Sequence, residues 1–149
     1  MERIMRTKVE LTAPCGLDCF NCLVYEENIN PQIAGMFSAQ LGIPADKIAC
    51  KGCREQPGCS ISPEGFVCKT LECTNEKGLN YCFECDEFPC SYLQPAVEGA
   101  DKFPHNYKLF NLCRMQKVGV EKWAEEESLQ IREKYFKGQF IPGTGPVLS

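Results

Sequence analysis

Cys15-Gly16-Leu17-Asp18-Cys19-Phe20-Asn21-Cys22 places three cysteines within eight residues, at the start of a region that is dense in cysteine. Two further C-x-x-C pairs follow, at Cys50/Cys53 and Cys82/Cys85. A tight turn with two intervening residues brings such sulfurs about 3.8 Å apart, the separation that tetrahedral zinc requires. Gly52 suits the turn before Cys53, because glycine reaches left-handed backbone conformations without steric cost. One C-x-x-C pair is a weak signal, but three within about 70 residues indicate thiolate metal sites.

Eleven of the 12 cysteines lie between residues 15 and 90, which is enough for two sets of four thiolates with three to spare. The predicted metal ligands are Cys15, Cys19, Cys22, Cys50, Cys53, Cys59, Cys68, Cys73, Cys82, Cys85 and Cys90. Structural zinc is the first prediction, as two ions each held by four thiolates. An iron–sulfur cluster is the alternative, because it also uses four thiolates, although the ferredoxin spacing C-x2-C-x2-C-x3-C-P is absent.

Two other uses of the cysteines are less favoured. The segment 1–11 lacks the apolar stretch of a secretion signal, so we expect a cytoplasmic protein, in which disulfides are rare. No βαβ pattern surrounds any C-x-x-C pair, which argues against a thioredoxin-like redox site.

The longest apolar run, Cys22–Tyr25, is far shorter than the 20 or so residues that a membrane-spanning helix needs, so no membrane association is expected.

The C-x3-C-x2-C spacing of Cys15, Cys19 and Cys22 matches the cluster-binding loop of radical S-adenosylmethionine enzymes, where three thiolates hold a four-iron cluster. In those enzymes an aromatic residue normally precedes the last cysteine, whereas Asn21 does here. The chain is also short for the barrel of such enzymes. The triplet is therefore predicted to supply three ligands of a zinc site that a distant cysteine completes. Three ligands with an open position, and Asp18 as proton acceptor, would instead make a catalytic metal.

Nothing outside the cysteines indicates catalysis, so no catalytic residue and no other cofactor-binding residue is predicted. His105 is the only histidine, which excludes a Cys2His2 finger, and it is expected to be a polar residue at the start of a helix.

The charge balance of 16 basic and 20 acidic residues gives a net −4, which disfavours nucleic acid as a partner. We expect the protein to act through contacts with a protein partner whose identity the sequence leaves open.

Helix signals occur on both sides of the cysteine blocks. Asn30, Pro31 and Gly42 predict a capped helix over 31–41. Its apolar positions fall on one face and are expected in the core: Ile33, Met36, Phe37 and Leu41. A short helical turn over 45–49 is weakly indicated. From 50 to 90 the sequence predicts little regular structure, held together by metal.

The C-terminal part predicts two more helices. The first runs from Tyr107 to about 118, with Asn106 as its cap, and the second covers 120–137 with Trp123 and Ile131 facing inward. Cys113 lies among apolar residues and is expected to be a small core thiol. The segment 141–146 is expected to form a loop.

These signals predict a mainly α fold, small α or α+β, with irregular metal-stapled loops. A cysteine-rich metal-binding region, 1–95, precedes a helical tail, 96–149, whose helical hairpin packs on it as part of one structural domain.

The cysteine blocks resemble the domain-of-unknown-function 3795 family of small cysteine-rich bacterial and archaeal proteins. The matching blocks are Cys15-Gly16-Leu17-Asp18-Cys19-x-x-Cys22, Cys50-Lys51-Gly52-Cys53, Cys68-x4-Cys73, the run from Glu76 to Cys85, and Phe88-Pro89-Cys90-x-x-Leu93. The helical tail is similar to tails that follow this domain in some relatives, so the resemblance covers about 12–125. It implies metal binding and brings no settled activity, substrate or partner.

Overall fold

The computed structural model describes residues 6–56, 58–62, 65–138 and 140–146. About half of the chain is helical and very little is strand, which confirms the mainly α prediction. The helices are α1 Lys8–Leu11, α2 Pro31–Leu41, α3 Lys69–Lys77, α4 Lys108–Val118, α5 Val120–Lys122 and α6 Ser128–Phe136. Five short 3-10 turns cover Cys19–Asn21, Ala45–Lys47, Cys82–Glu84, Ser91–Leu93 and Pro104–Tyr107. The strands β1 Phe140–Ile141 and β2 Gly145–Pro146 pair antiparallel, where the sequence predicted only a loop.

Helix α2 has the predicted bounds and caps. The Asn30 side chain accepts a hydrogen bond from the amide of Ile33 at 2.8 Å, and Gly42 ends the helix with φ of 70°. The predicted burial of its apolar face is wrong, because none of its residues is buried and Met36 is 45% exposed. Of that face, Phe37 packs against a small apolar cluster, and the rest of the helix lies on the surface.

Helix α3 falls in the stretch for which little regular structure was predicted, and that prediction is wrong for 69–77. The segment is polar, so it lacks the apolar period that marks a helix in sequence. It buries Thr70 and Thr74, and the Thr74 hydroxyl donates to the carbonyls of Thr70 and Leu71. Gly78 ends the helix in the left-handed conformation, at φ of 66°.

The C-terminal helices lie close to their predicted bounds. A 3-10 turn precedes α4, and Asn106 is not its cap, because its side chain instead bonds the amide and the carbonyl of Ala96 at 2.7 and 2.8 Å. A π-helical turn, Trp123–Glu127, separates α5 from α6. Trp123 and Ile131 are fully buried, as predicted.

The main hydrophobic cluster packs the C-terminal helices against the N-terminal loops. Its buried members are Leu11, Phe20, Tyr25, Cys82, Leu93, Tyr107, Leu112, Met115, Trp123, Ala124 and Ile131. A smaller cluster has Val24, Ile48 and Cys50 at its centre. No helix in the described ranges has the length and apolar character needed to cross a membrane. The division into 1–95 and 96–149 stays a prediction.

Candidate metal centres

Five of the predicted ligands surround one cavity of about 300 Å³, called here the first cavity. These cysteines are Cys19, Cys22, Cys50, Cys53 and Cys59. The rest of the wall includes Phe103, His105, Lys108 and Arg132, from the start of α4 and from α6. The first cavity therefore joins cysteines that lie up to 40 positions apart in sequence with two cationic side chains.

Main-chain contacts bring the Cys22 and Cys50 loops together. Tyr25 and Cys50 form a parallel bridge, in which the Cys50 amide donates to Val24 at 2.8 Å and the Glu26 amide donates to Cys50 at 2.9 Å. The Asn28 amide group donates to the carbonyls of Phe20 and Cys22 at 2.8 and 2.9 Å, which closes the turn of the first block. Backbone hydrogen bonds thus set the relative position of the two loops.

The Cys50–Cys53 turn has the geometry that its glycine predicts. Gly52 has φ of 94°, and its amide lies 3.4 Å from the Cys50 sulfur, so it can donate to it. A hydrogen bond with the Cys59 thiol lowers the pKa of Cys50 to about 5 and raises that of Cys59. A second thiol pair, Cys19 and Cys53, raises the pKa of Cys19 and lowers that of Cys53. One thiol of each pair therefore favours the thiolate form that binds metal.

Four other cysteines line a second cavity of about 380 Å³: Cys73, Cys82, Cys85 and Cys90. Helix α3 supplies Cys73 and, one turn later, Lys77, whose ammonium lies 3.2 Å from the Cys85 sulfur and 2.7 Å from a Glu87 oxygen. The Glu87 amide also faces the Cys85 sulfur, at 3.4 Å. Burial raises the pKa of Cys82 to about 12.

Cys15 and Cys68 line neither cavity, and Cys15 lies close to both. Cys15 is buried, which raises its pKa, and the charges of Cys53 and Cys68 raise it further. The amide of Cys82 donates to Pro14, next to Cys15, at 2.9 Å. The Cys15 loop therefore contacts both cysteine sets, because Leu17 lines the first cavity and Pro14 bonds Cys82 of the second.

Arg54 ties three of the cysteine blocks together. Its guanidinium donates to the carbonyl of Thr12 at 2.8 Å and to that of Asn80 at 2.7 Å, and it lies 4.9 Å from the Tyr81 ring centre. Sequence reasoning missed Arg54, Lys77 and Lys108. Only the adjacency of Arg54 to Cys53 could have drawn attention to any of them.

Asp18 does not have the surroundings of a proton acceptor at a metal. Its carboxylate is fully buried, and Oδ1 accepts hydrogen bonds from Tyr107 Oη at 2.6 Å and from Arg132 Nη1 at 2.9 Å. Oδ2 accepts from Asn21 Nδ2 at 3.0 Å. Asp18 therefore stabilises the fold by pairing with Arg132, which lines the first cavity.

The two remaining sequence expectations have different outcomes. His105 lies in the turn before α4, where its Nε2 is 2.6 Å from the Gln94 carbonyl, while its ring lines the first cavity. The expectation of a core thiol at Cys113 is wrong, because this residue is exposed on α4 and lines neither cysteine cavity. All twelve cysteines are free thiols.

The residue types of both cavities suit zinc or iron, since at least four cysteines line each cavity. Within the described ranges, however, no three His, Cys, Asp or Glu side chains are grouped as one ion requires. A single zinc ion needs four thiolates to converge on it. A four-iron cluster accepts more widely separated sulfurs, because each cysteine sulfur binds a different iron.

A family profile described as a protein of unknown function, DUF3795, matches residues 11–95. The chain belongs to this family, which confirms the resemblance that the cysteine blocks indicate. The match ends at residue 95, before the helical tail. Comparison with curated proteins and with solved structures found no match.

Proposed function

We propose that this chain is a metal-binding protein with two multi-cysteine centres, one in each cavity. The observation that carries the proposal is the sorting of nine cysteines into two cavities, one lined by five of them and one by four. Four thiolates complete a structural zinc site, so each cavity has enough cysteines for one. In this proposal the metal stabilises the loops between residues 15 and 90, and the protein works in the cytoplasm through contacts with a protein partner.

Zinc is the first candidate, at two ions per chain. Backbone amides that point at thiolate sulfurs are the outer contacts that orient a metal ligand, and Gly52 and Glu87 offer one such amide to each cavity. A closed four-thiolate zinc site performs no redox chemistry and supplies folding free energy.

An iron–sulfur protein is the second candidate, and one specific observation favours it. The cysteines line cavities of about 300 and 380 Å³, while no three described side chains of the metal-binding types converge as a single ion needs. A cluster fills such a space with its own iron and sulfide, which explains separated sulfurs better than one ion does.

Metal and sulfide content, measured together with an absorption spectrum on anaerobically purified full-length protein, tests the proposal. We expect about two zinc per chain without visible absorbance. Iron with sulfide and absorbance near 400 nm would instead establish the second candidate. Protein that holds neither metal as isolated, and takes up neither when supplied under reducing conditions, would contradict both.

Three serine variants test the assignment of ligands to cavities. Cys53→Ser should lose the metal of the first cavity, and Cys85→Ser that of the second, so each should keep about half of the metal. Cys113→Ser is the matched control, because Cys113 lines neither cavity, and it should keep the full content. Loss of all metal in both ligand variants would contradict two separate centres.

A further inference from the structure

Lys108 is a half-buried cation without a carboxylate partner among the described residues. It is the first residue of α4, and its side chain lines the first cavity together with five cysteines. Every other cationic side chain that lines either cavity has a partner: Arg132 pairs with Asp18, and Lys77 pairs with Glu87. A charged group taken partly out of water needs a compensating charge or hydrogen bonds. The nearby groups that could supply this compensating charge to Lys108 are therefore the cysteine sulfurs of the first cavity.

Lys108 lines the first cavity, and the helix that it begins, α4, packs against the Cys82–Glu84 turn beside the second. The pKa of Lys108 is raised, chiefly through Cys15 and then through Cys68, Cys53 and Cys82, so these thiols would compensate its charge once they ionise. Cys53 belongs to the first cavity and Cys82 to the second. The helix that carries Lys108 therefore contacts elements of both cysteine sets.

Backbone packing holds Lys108 in this place. Gly16, at φ of 93°, lets the Cys15 loop approach α4 so closely that a Cβ at Gly16 would lie 2.8 Å from the Lys108 carbonyl oxygen. The Asn111 side chain donates to the Gly16 carbonyl at 2.8 Å and accepts from Trp123 Nε1 at 3.3 Å. Since these hydrogen bonds are buried and involve no cysteine side chain, the packing of α4 sets Lys108 beside the Cys15 loop.

We infer that Lys108 is the shared counter-charge of the two thiolate centres, a positioning residue that stabilises their metal-loaded forms. Four thiolates around one divalent zinc leave a net charge of about −2, and the chain as a whole is also acidic. A cation held near such a centre outside bulk water stabilises it more strongly than an exposed one does. Lys77, which is exposed, therefore contributes less than Lys108. This inference rests on the proposed metal binding.

Zinc affinity, measured by competition with a chromogenic chelator at fixed ionic strength, tests the role of Lys108. Lys108→Met should weaken zinc binding about 10–100-fold, the range found when outer-shell partners of metal ligands are removed. Lys108→Arg keeps the charge and should bind within a few-fold of the wild type. Lys117→Met, an exposed lysine on the same helix, is the control and should match the wild type. If the isolated protein holds iron–sulfur clusters, Lys108→Met should lower the reduction potential and Lys108→Arg should restore it.

Different experimental results would overturn the role of Lys108 and the proposed metal binding. A wild-type protein that binds no metal overturns both. A wild-type protein that binds zinc, with Lys108→Met binding equally well, overturns the role of Lys108 alone. Equal weakening in Lys108→Met and Lys108→Arg also overturns it, because shape rather than charge then matters. Lys108→Gln replaces Lys108→Met if the latter fails to fold, and the unfolding of both neutral variants with zinc present would assign the lysine to the fold instead.

Discussion

Replacing Arg132 by methionine removes the charged partner of the Asp18 carboxylate, which is fully buried. Asp18 is 0% exposed, and the Arg132 side chain, itself 15% exposed, lies 2.9 Å from it. At that distance two unit charges interact by about 6 kcal/mol for an effective dielectric constant near 20. Tyr107 and Asn21 keep their hydrogen bonds to Asp18 in the variant. We therefore expect Arg132→Met to lower the free energy of unfolding by about 3–5 kcal/mol, the usual cost of breaking a buried pair.

Urea unfolding followed by circular dichroism measures this loss, with all variants at equal metal content and an unchanged m-value. Adding Asp18→Asn to Arg132→Met removes the unpaired charge while keeping the side-chain shape, so the double variant should recover at least about 1 kcal/mol. Lys69→Met is the control, because it breaks an exposed pair with Glu72 at 3.6 Å and should cost less than about 1 kcal/mol. An Arg132→Met variant within about 1 kcal/mol of the wild type would refute the reasoning.

Three further predictions concern the backbone, a helix cap and bound metal. Gly16→Ala should destabilise the protein by more than Gly42→Ala in the same urea assay, because both residues have positive φ but only the Gly16 Cβ would meet the α4 backbone, at 2.8 Å; equal costs would argue against this close approach. Asn30→Ala should cost about 1 kcal/mol, through the lost hydrogen bond to the Ile33 amide, whereas Asn30→Asp should keep most of that stability. Chelation of bound metal should lower the melting temperature by about 10–20 °C, if each of the two proposed sites holds its metal at roughly 100 times Kd, and an unchanged temperature would show that the metal does not stabilise the fold.

Local signals in the sequence predict those parts of the fold that depend on neighbouring residues. Asn30 and Gly42 gave the bounds of α2, since a cap depends on residues a few positions away. The same helix shows the limit of periodicity. An apolar face predicts burial only if another element covers it, and most of the α2 face has no such cover. The prediction that Cys113 is a core thiol fails for the same reason, because Cys113 lies on the exposed side of α4.

The sequence predicts the cysteines of the candidate site, but it does not predict which charged side chains lie beside them. Spacing and clustering predict eleven sulfur ligands, but the distribution of these cysteines between the cavities depends on contacts such as the bridge between Tyr25 and Cys50. Lys108 lies more than 90 positions from Cys15 in sequence, and no local pattern marks that proximity. Helix α3, which carries Cys73, was missed because threonines and not apolar residues form its buried side.

The exposed position of α2 has a consequence for the motions of the molecule. A helix without buried residues loses little apolar contact when it opens, so its amides should exchange with solvent through local fluctuation, well below the free energy of global unfolding. The amides of α4, which buries Asn111, Leu112 and Met115, should exchange far more slowly. Ile29 and Ile43 flank α2 and pack against the small cluster that contains Cys50. Transient opening of this one helix thus gives small solutes a route toward Cys50 while the rest of the chain stays folded.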